Sequence, residues 1–293
     1  MDNVLVTIGI PVRNCEKTIG AVIDRIVSQD YPHNLMEIIV VDDSCKDGTI
    51  PVVIAKLEKT KIQARIFSTG GKGVATARQK VDDNALGKYI VWVDGDALIP
   101  GDYVSKQVEF MELHPHVGKA RGRFGWLRNG KVLADLHYLS YVYQQKMEVE
   151  PKIAGICCSI CRIDAIRDAG GFDINIKGAG EDVDLAVRML AHGWDSSVND
   201  TMFYSLPKTS WKDLWKQYMW YGYGGHFVSC KYKKNFGLAH LPPIALAKSI
   251  KKAVVAFRFT GEKKSFLLSI YFLIRGIAWW MGFVKAHFEK YNP

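Results

Sequence analysis

Two unbroken apolar runs, Ile38-Ile39-Val40-Val41 and Tyr89-Ile90-Val91-Trp92-Val93, constrain the fold of this chain more than any other feature. Neither alternates apolar with polar residues, so each predicts a strand buried on both faces, as in a parallel sheet covered by helices. The segments around them alternate in type. Val4–Val12 predicts a first strand, and Lys17–Gln29 a helix with Ile19, Val22, Ile23, Ile26 and Val27 on one face. Glu37–Val41 predicts a second strand, and Thr49–Glu58 a helix with Thr49 as N-cap and Pro51 in its first turn. Ile62–Phe67, Val74–Asn84 and Lys88–Val93 then predict strand, helix and strand. Such an order with short connections implies an α/β fold wound by right-handed crossovers. Beyond it the pattern loosens, with helices predicted at Tyr103–Leu113, Asp135–Met147 and Asp164–Ala169 and another opening at Glu181, and strands near Gly118–Trp126 and Ile153–Ile160.

In open α/β sheets the ligand lies beyond the carboxyl ends of the strands. Asp42-Asp43 and Asp94-Gly95-Asp96 both stand at such ends. Two carboxylates one residue apart suit a hard divalent cation, Mg²⁺ or Mn²⁺, that keeps positions open for phosphate oxygens. Gly70-Gly71-Lys72-Gly73 offers a cation, Lys72, on a loop able to meet a diphosphate. That loop lacks the spacer and the following Ser or Thr of a P-loop, and Thr76 stands where G-x-G-x-x-G needs a third small residue. ATPase and dinucleotide classes therefore gain no support. Glu181-Asp182 opens a helix, where exposed N–H groups favour anions. An ionised carboxylate within reach of a hydroxyl is what a general base requires.

Six motifs occur in order: Pro11-Val12-Arg13-Asn14, Val40-Val41-Asp42-Asp43-Ser44, Gly73-Val74-Ala75-Thr76-Ala77-Arg78, Asp94-Gly95-Asp96, Ala169-Gly170-Gly171-Phe172-Asp173 and Glu181-Asp182-Val183-Asp184-Leu185. Together they resemble the family 2 glycosyltransferases of the GT-A fold, over about residues 4–225. The resemblance implies a mixed, mainly parallel Rossmann-like sheet that binds a nucleotide-diphosphate sugar, a UDP- or GDP-sugar. It assigns Asp43 to the nucleotide base, near Pro11 and Arg13, and Arg78 to the nucleotide and its phosphates. Asp94 is implied as a contact to ribose or metal, Asp96 as the principal metal ligand, and Asp182 as the general base of an inverting displacement. Glu181 would orient the acceptor or a sugar hydroxyl. Two departures stand out. Phe203-Tyr204-Ser205 replaces a histidine common in relatives, and Gln217-Tyr218-Met219-Trp220-Tyr221 lacks the arginine of the Q-x-x-R-W of processive synthases.

Charge divides the chain. From Leu206 onward, thirteen Lys and two Arg face only Asp213, Glu262 and Glu289, which leaves the first 205 residues mildly acidic. A basic tail on an acidic body predicts an anionic partner, lipid headgroups or nucleic acid. Leu241–Phe259 predicts an amphipathic helix with Lys248, Lys251, Lys252 and Arg258 on one face and Leu246, Ile250, Val254 and Phe257 on the other. Phe266–Val284 carries a single charge, Arg275, and is long enough to span a bilayer, but a central arginine favours interfacial attachment. The apolar run beside the lysines argues against nucleic acid. Trp211, Trp215 and Trp220 stand at helical spacing, which predicts core packing over an acceptor site. Cys157, Cys158 and Cys161 have half a zinc spacing without a second cluster, and no signal peptide precedes the first strand.

The expectation is thus a catalytic domain over residues 1–205 and a helical, basic, membrane-associating region over 206–293, on the cytoplasmic face of a membrane. The implied acceptor is membrane-associated, such as a polyprenyl or dolichyl phosphate or a lipid-linked glycan. The alternative is a catalytically inactive membrane-binding module that keeps the fold.

Overall fold

The computed structural model describes residues 5–128, 130–146, 155–206, 210–233 and 242–293. Val4, Met147, Ile153 and Leu241, at which predicted elements begin or end, lie outside these. The chain groups into two units. Met1–Gly125, Lys152–Ile174 and Glu181–Leu206 form the first; Trp126–Pro151, Asn175–Gly180 and Pro207–Pro293 form the second.

The first unit is built on a mixed sheet of eight strands. β1 (Val6–Val12), β2 (Met36–Asp42), β3 (Gln63–Ser68) and β4 (Tyr89–Trp92) are its parallel part. β5 (Ala97–Leu98), β6 (Val117–Trp126), β7 (Ser159–Arg162) and β8 (Asp195–Ser205) extend it, in the order β3-β2-β1-β4-β7-β6-β8-β5. β1 pairs in parallel with both β2 and β4, while β4–β7, β6–β7 and β5–β8 are antiparallel. The apolar runs behave as their lack of alternation requires: residues 36–41 and 89–92 are buried throughout. Helices α1 (Glu16–Val27), α2 (Thr49–Leu57), α3 (Val74–Asn84) and α4 (Tyr103–Leu113) connect these strands, followed later by α6 (Ile163–Asp168) and α7 (Glu181–Ala191). α1 buries Ile19, Val22, Ile23 and Ile26 in one core layer; Ala77 and Val81 of α3 lie in a second.

Two expectations shift, and one strand was not foreseen. Thr49 starts α2 rather than capping it: its hydroxyl donates to Asp47 at 2.5 Å and accepts from the Cys15 amide at 2.8 Å. The strand expected near 153–160 begins only at Ser159, because Cys158 adopts φ 52° and Cys157 and Cys158 lie in a turn. β8, polar and only half-buried, carries no apolar run from which it could be read.

The second unit contains α5 (Val132–Lys146), α8 (Trp211–Tyr232), α9 (Pro242–Thr260) and α10 (Leu268–Phe288). Its core joins Leu133, Leu136 and Leu139 to Leu214, Ala253, Ala256, Leu268 and Tyr271. Buried Asp135 accepts from Lys264 at 2.5 Å and pairs with Arg128 at 2.9 Å. α8 and α10 touch backbone to backbone: a Cβ at Gly222 would lie 1.8 Å from the Trp279 carbonyl oxygen, and one at Gly282 1.9 Å from that of Met219. Contrary to the expected core packing, Trp211 and Trp220 are 43% and 42% exposed. In α9 the buried face consists of small residues, Ser249, Ala253 and Ala256, and Leu246, Ile250 and Val254 are exposed.

Candidate active site

Asp43 follows β2, and its amide continues the ladder by donating to the Val12 carbonyl at 2.9 Å. The side chain is buried. Its Oδ1 accepts from the Thr69 hydroxyl at 2.7 Å and the Gly73 amide at 2.9 Å, and its Oδ2 from Arg13 at 3.1 Å. Arg13 is 57% exposed, so it covers Asp43 from the solvent side. Pro11 stands one turn of the pleat earlier in β1, opposite Val41. Gly73 has φ 101°, a region closed to most side chains, and this conformation directs its amide at Asp43. Lys72 beside it is exposed.

One turn into α3, Arg78 forms a second group. It is buried, and donates to Glu181 at 2.5 Å and to Asp94 at 3.0 Å. Its guanidinium stands 5.9 Å over Trp92, whose ring meets Phe172 edge-on at 5.3 Å. The Gly170-Gly171 turn before Phe172 is fixed by Gln79, which accepts from the Phe172 amide at 2.6 Å. Burial pushes the Glu181 carboxyl up to about 7 against the pull of Arg78, and Asp182 adds to the push. Glu181 Oε2 and Arg78 Nε are both buried without a hydrogen-bond partner. Asp182 is half-buried and accepts from the amides of Val183 at 2.8 Å and Ile156 at 3.3 Å, so it is held at the α7 N-terminus with its orientation fixed.

The Asp94-Gly95-Asp96 turn is braced from α1. The Thr18 hydroxyl donates to the Gly95 carbonyl at 2.6 Å, and a Cβ at Gly95 would sit 2.7 Å from Cys15 Sγ. Burial pushes the Cys15 thiol up to about 11, with Asp96 contributing, and Cys157 is pushed up first by its hydrogen bond with Cys158, then by burial and Asp94. These thiols stay neutral and uncharged beside the carboxylates. Among the described residues no three His, Cys, Asp or Glu side chains converge on one metal position. The protein therefore offers a partial oxygen set, with Asp94 one-third exposed, and such a set fits Mg²⁺ or Mn²⁺, which takes one or two carboxylates plus substrate phosphates and water.

The structure thus brings Arg78, Asp94, Glu181 and Asp182 together, and joins Pro11, Arg13 and Asp43 at the neighbouring strand ends. α3 links the two groups, with the Gly73 amide at its start and Arg78 on its first full turn. The sequence reading missed Thr69, whose hydroxyl has no signature, and two β6 cations. Lys119 is buried, its pKa lowered by burial and raised in part by Asp182; Arg121 Nη1 lies 3.7 Å from a Cβ position at Gly155, which Asp182 Oδ2 approaches to 3.4 Å. The alternation of strand β6, Lys119 and Arg121 two residues apart, was the available signal.

With this geometry in place, the comparisons decide the family. The model of Glycosyl transferase family 2 matches residues 7–167, and that of Glycosyl transferase family group 2 matches residues 89–287. The chain belongs to glycosyl transferase family 2. An "Uncharacterized glycosyltransferase" of Haemophilus influenzae is 30% identical over 43% of this chain and 49% of its own length. The Escherichia coli "UDP-Glc:alpha-D-GlcNAc-diphosphoundecaprenol beta-1,3-glucosyltransferase WfaP" is 37% identical over 37% of this chain and 41% of its own. The aligned part thus spans half or less of these relatives. Among solved structures, the "Mannosyltransferase PcManGT from Pyrobaculum calidifontis in complex with GDP-Man and Mn2+" superposes with a TM-score of 0.68, at 19% identity, over 97% of this chain and 87% of that one. That match places the family 2 chain in the same GT-A fold.

Proposed function

We propose that this chain moves a sugar from a UDP- or GDP-sugar to a membrane-associated acceptor, with inversion at the anomeric carbon. Residues 1–205 would act as the catalytic domain, and 206–293 as the membrane-associating region. The observation that carries the reading is the Arg78 bridge, which ties Asp94 at the end of β4 to Glu181 at the start of α7, next to Asp182.

In this reading Asp43 receives the nucleobase. Three donors occupy it, and a carboxylate has about four lone-pair directions, so about one remains for a base N–H. Uracil and guanine both present such a group. Arg13 and Pro11 border that position, and Lys72 meets the diphosphate as a flexible point charge. A divalent cation held by Asp96 and Asp94 would supply Lewis-acid stabilisation of the departing diphosphate. Asp182 removes the proton from the acceptor hydroxyl or phosphate oxygen as it attacks the anomeric carbon, the bond to the diphosphate breaking on the opposite face. Arg78 spreads its charge over Glu181 and Asp94 and keeps the mostly dehydrated carboxylates from repelling one another. Glu181 then presents Oε2 toward a hydroxyl of acceptor or sugar.

Support for the donor and acceptor classes comes from relatives: GDP-Man in the Pyrobaculum structure, UDP-GlcNAc in a complex of the Staphylococcus aureus protein TarS, and a diphosphoundecaprenol-linked acceptor in the name of WfaP. The helical segment Lys263–Phe288 is, among the described residues, long and apolar enough to cross a membrane by length and composition. Its exposed stripe of Phe266, Ile270, Ile277, Met281, Val284 and Phe288, with Leu246, Ile250 and Val254 of α9, suits the headgroup boundary. A thermal-shift panel of UDP, GDP and other nucleoside diphosphates, each with and without Mn²⁺ or Mg²⁺, tests the donor part. Stabilisation by one of the UDP or GDP series that needs the metal is expected, and is lost in Asp96→Ala. Equal shifts by every nucleotide, or none, would contradict the reading.

A further inference from the structure

The two buried arginines among the described residues, Arg78 and Arg162, are matched by carboxylates or carbonyls. Arg78 has Glu181 and Asp94, and Arg162 donates to three backbone carbonyls. Arg275 of α10, half-buried, differs from these. Its guanidinium packs against the rings of Tyr218 at 4.2 Å, Phe272 at 4.9 Å and Tyr271 at 5.0 Å. Among the described residues its one hydrogen bond goes to the Tyr271 hydroxyl at 3.3 Å, and its Nε is buried with no partner. Among the described residues it has no carboxylate at ion-pair distance. The side chain nonetheless keeps part of its surface in solvent. Aromatic faces hold such a cation by its flat sides and leave the N–H edges unused.

A second cation stands on the same wall. Lys252 of α9 lies 4.3 Å over Phe272, and Lys248 is one turn away on the same helix. The Lys252 ammonium is pushed down to about 8, first by burial and then by Arg275 and Lys248. Like charges gathered on a partly dehydrated, aromatic-walled surface cost stability, and an anion seated among them removes that cost. Arginine offers the paired N–H geometry that fits phosphate oxygens, and lysines add point charge.

We propose that Arg275, Lys252 and Lys248 form a phosphate-binding site for the headgroup of an anionic phospholipid, walled by Tyr218, Tyr271 and Phe272. The proposal rests on the reading that residues 206–293 associate with membranes, and deepens it by naming where the charge is read.

The test compares two double variants of the full chain with equal loss of charge, Lys248→Gln/Lys252→Gln and Lys251→Gln/Lys285→Gln. Flotation with phosphatidylcholine vesicles containing phosphatidic acid is the readout. Since one basic residue near an anionic surface is worth about 1 kcal/mol, both weaken binding, but the first pair is expected to lose on the order of tenfold more. Arg275→Lys, which keeps charge but not the planar fork, is expected to fall with the first pair. Inorganic phosphate without vesicles separates the sources: stabilisation of the wild type but not of the first pair assigns a phosphate site open to free anion, whereas a difference seen only on vesicles assigns the lipid. Equal losses by the two pairs overturn the site while leaving membrane attachment standing. Absence of vesicle binding by the wild type overturns both.

Discussion

Arg78 shows how much of the candidate site rests on single side chains. It is the common partner of Glu181 and Asp94, residues 103 and 16 positions away in the chain. Removing one partner of a buried ion pair leaves an uncompensated charge, so Arg78→Met is expected to lower stability by about 3–5 kcal/mol in urea unfolding, with turnover lost as well. A change under about 1 kcal/mol would show that the bridge is dispensable. The raised Glu181 carboxyl has a pH signature whose sign is fixed. Its folded pKa, about 7, lies above the ordinary 4.5, so the native state binds the extra proton between those values. Stability from this group is full below about pH 4.5, falls as pH rises through the window and levels off above 7. Glu181→Gln is expected to flatten that part of the stability–pH curve, and a slope unchanged by the substitution would contradict the assignment. The carboxylates themselves were legible in the sequence because each follows an apolar run or opens a helix. Their partners were not. Thr69 and the Gly73 amide reach Asp43 from a loop some thirty residues later, and nothing local in Thr69 announces it.

The same contrast holds for strands and helices. β1, β2 and β4 were readable because burial on both faces leaves them mostly apolar, with Thr7 and Glu37 as buried exceptions, and the helices between them show apolar spacing near 3.6. β5 has only two residues, too short for any pattern, and β8 holds its place through pairing with β5 while remaining polar and half-buried. Tertiary pairing, not local preference, makes them strands. In the second unit the decisive contact is between glycines and backbone. Gly222→Ala on α8 would place a methyl 1.8 Å from the Trp279 carbonyl oxygen, so α8 and α10 must separate. Thermal unfolding is expected to show a loss of about 1–3 kcal/mol, the usual penalty of overpacking. An unchanged midpoint would mean that the two helices are free to move apart.

For the molecule as a whole, the split between a mildly acidic body and a basic, apolar-striped tail motivates the proposed membrane attachment. Membrane sedimentation of a chain ending at Tyr232 is expected to leave the protein in the supernatant, while the full chain pellets. Pelleting of both would move the attachment to the body. The chain belongs to glycosyl transferase family 2, and the mechanism proposed for it rests on the arrangement of Asp94, Arg78, Glu181 and Asp182. The most direct measurement is sugar transfer by Asp182→Asn beside the wild type, with nucleotide-sugar binding followed on the same samples by calorimetry. Because Asp182 is half-buried and held only through backbone amides, the amide variant keeps the fold. Donor affinity within a few fold of wild type, with transfer slowed about 100- to 10,000-fold, is the predicted result. Transfer at the wild-type rate would contradict the account, since the proton would then leave by another group.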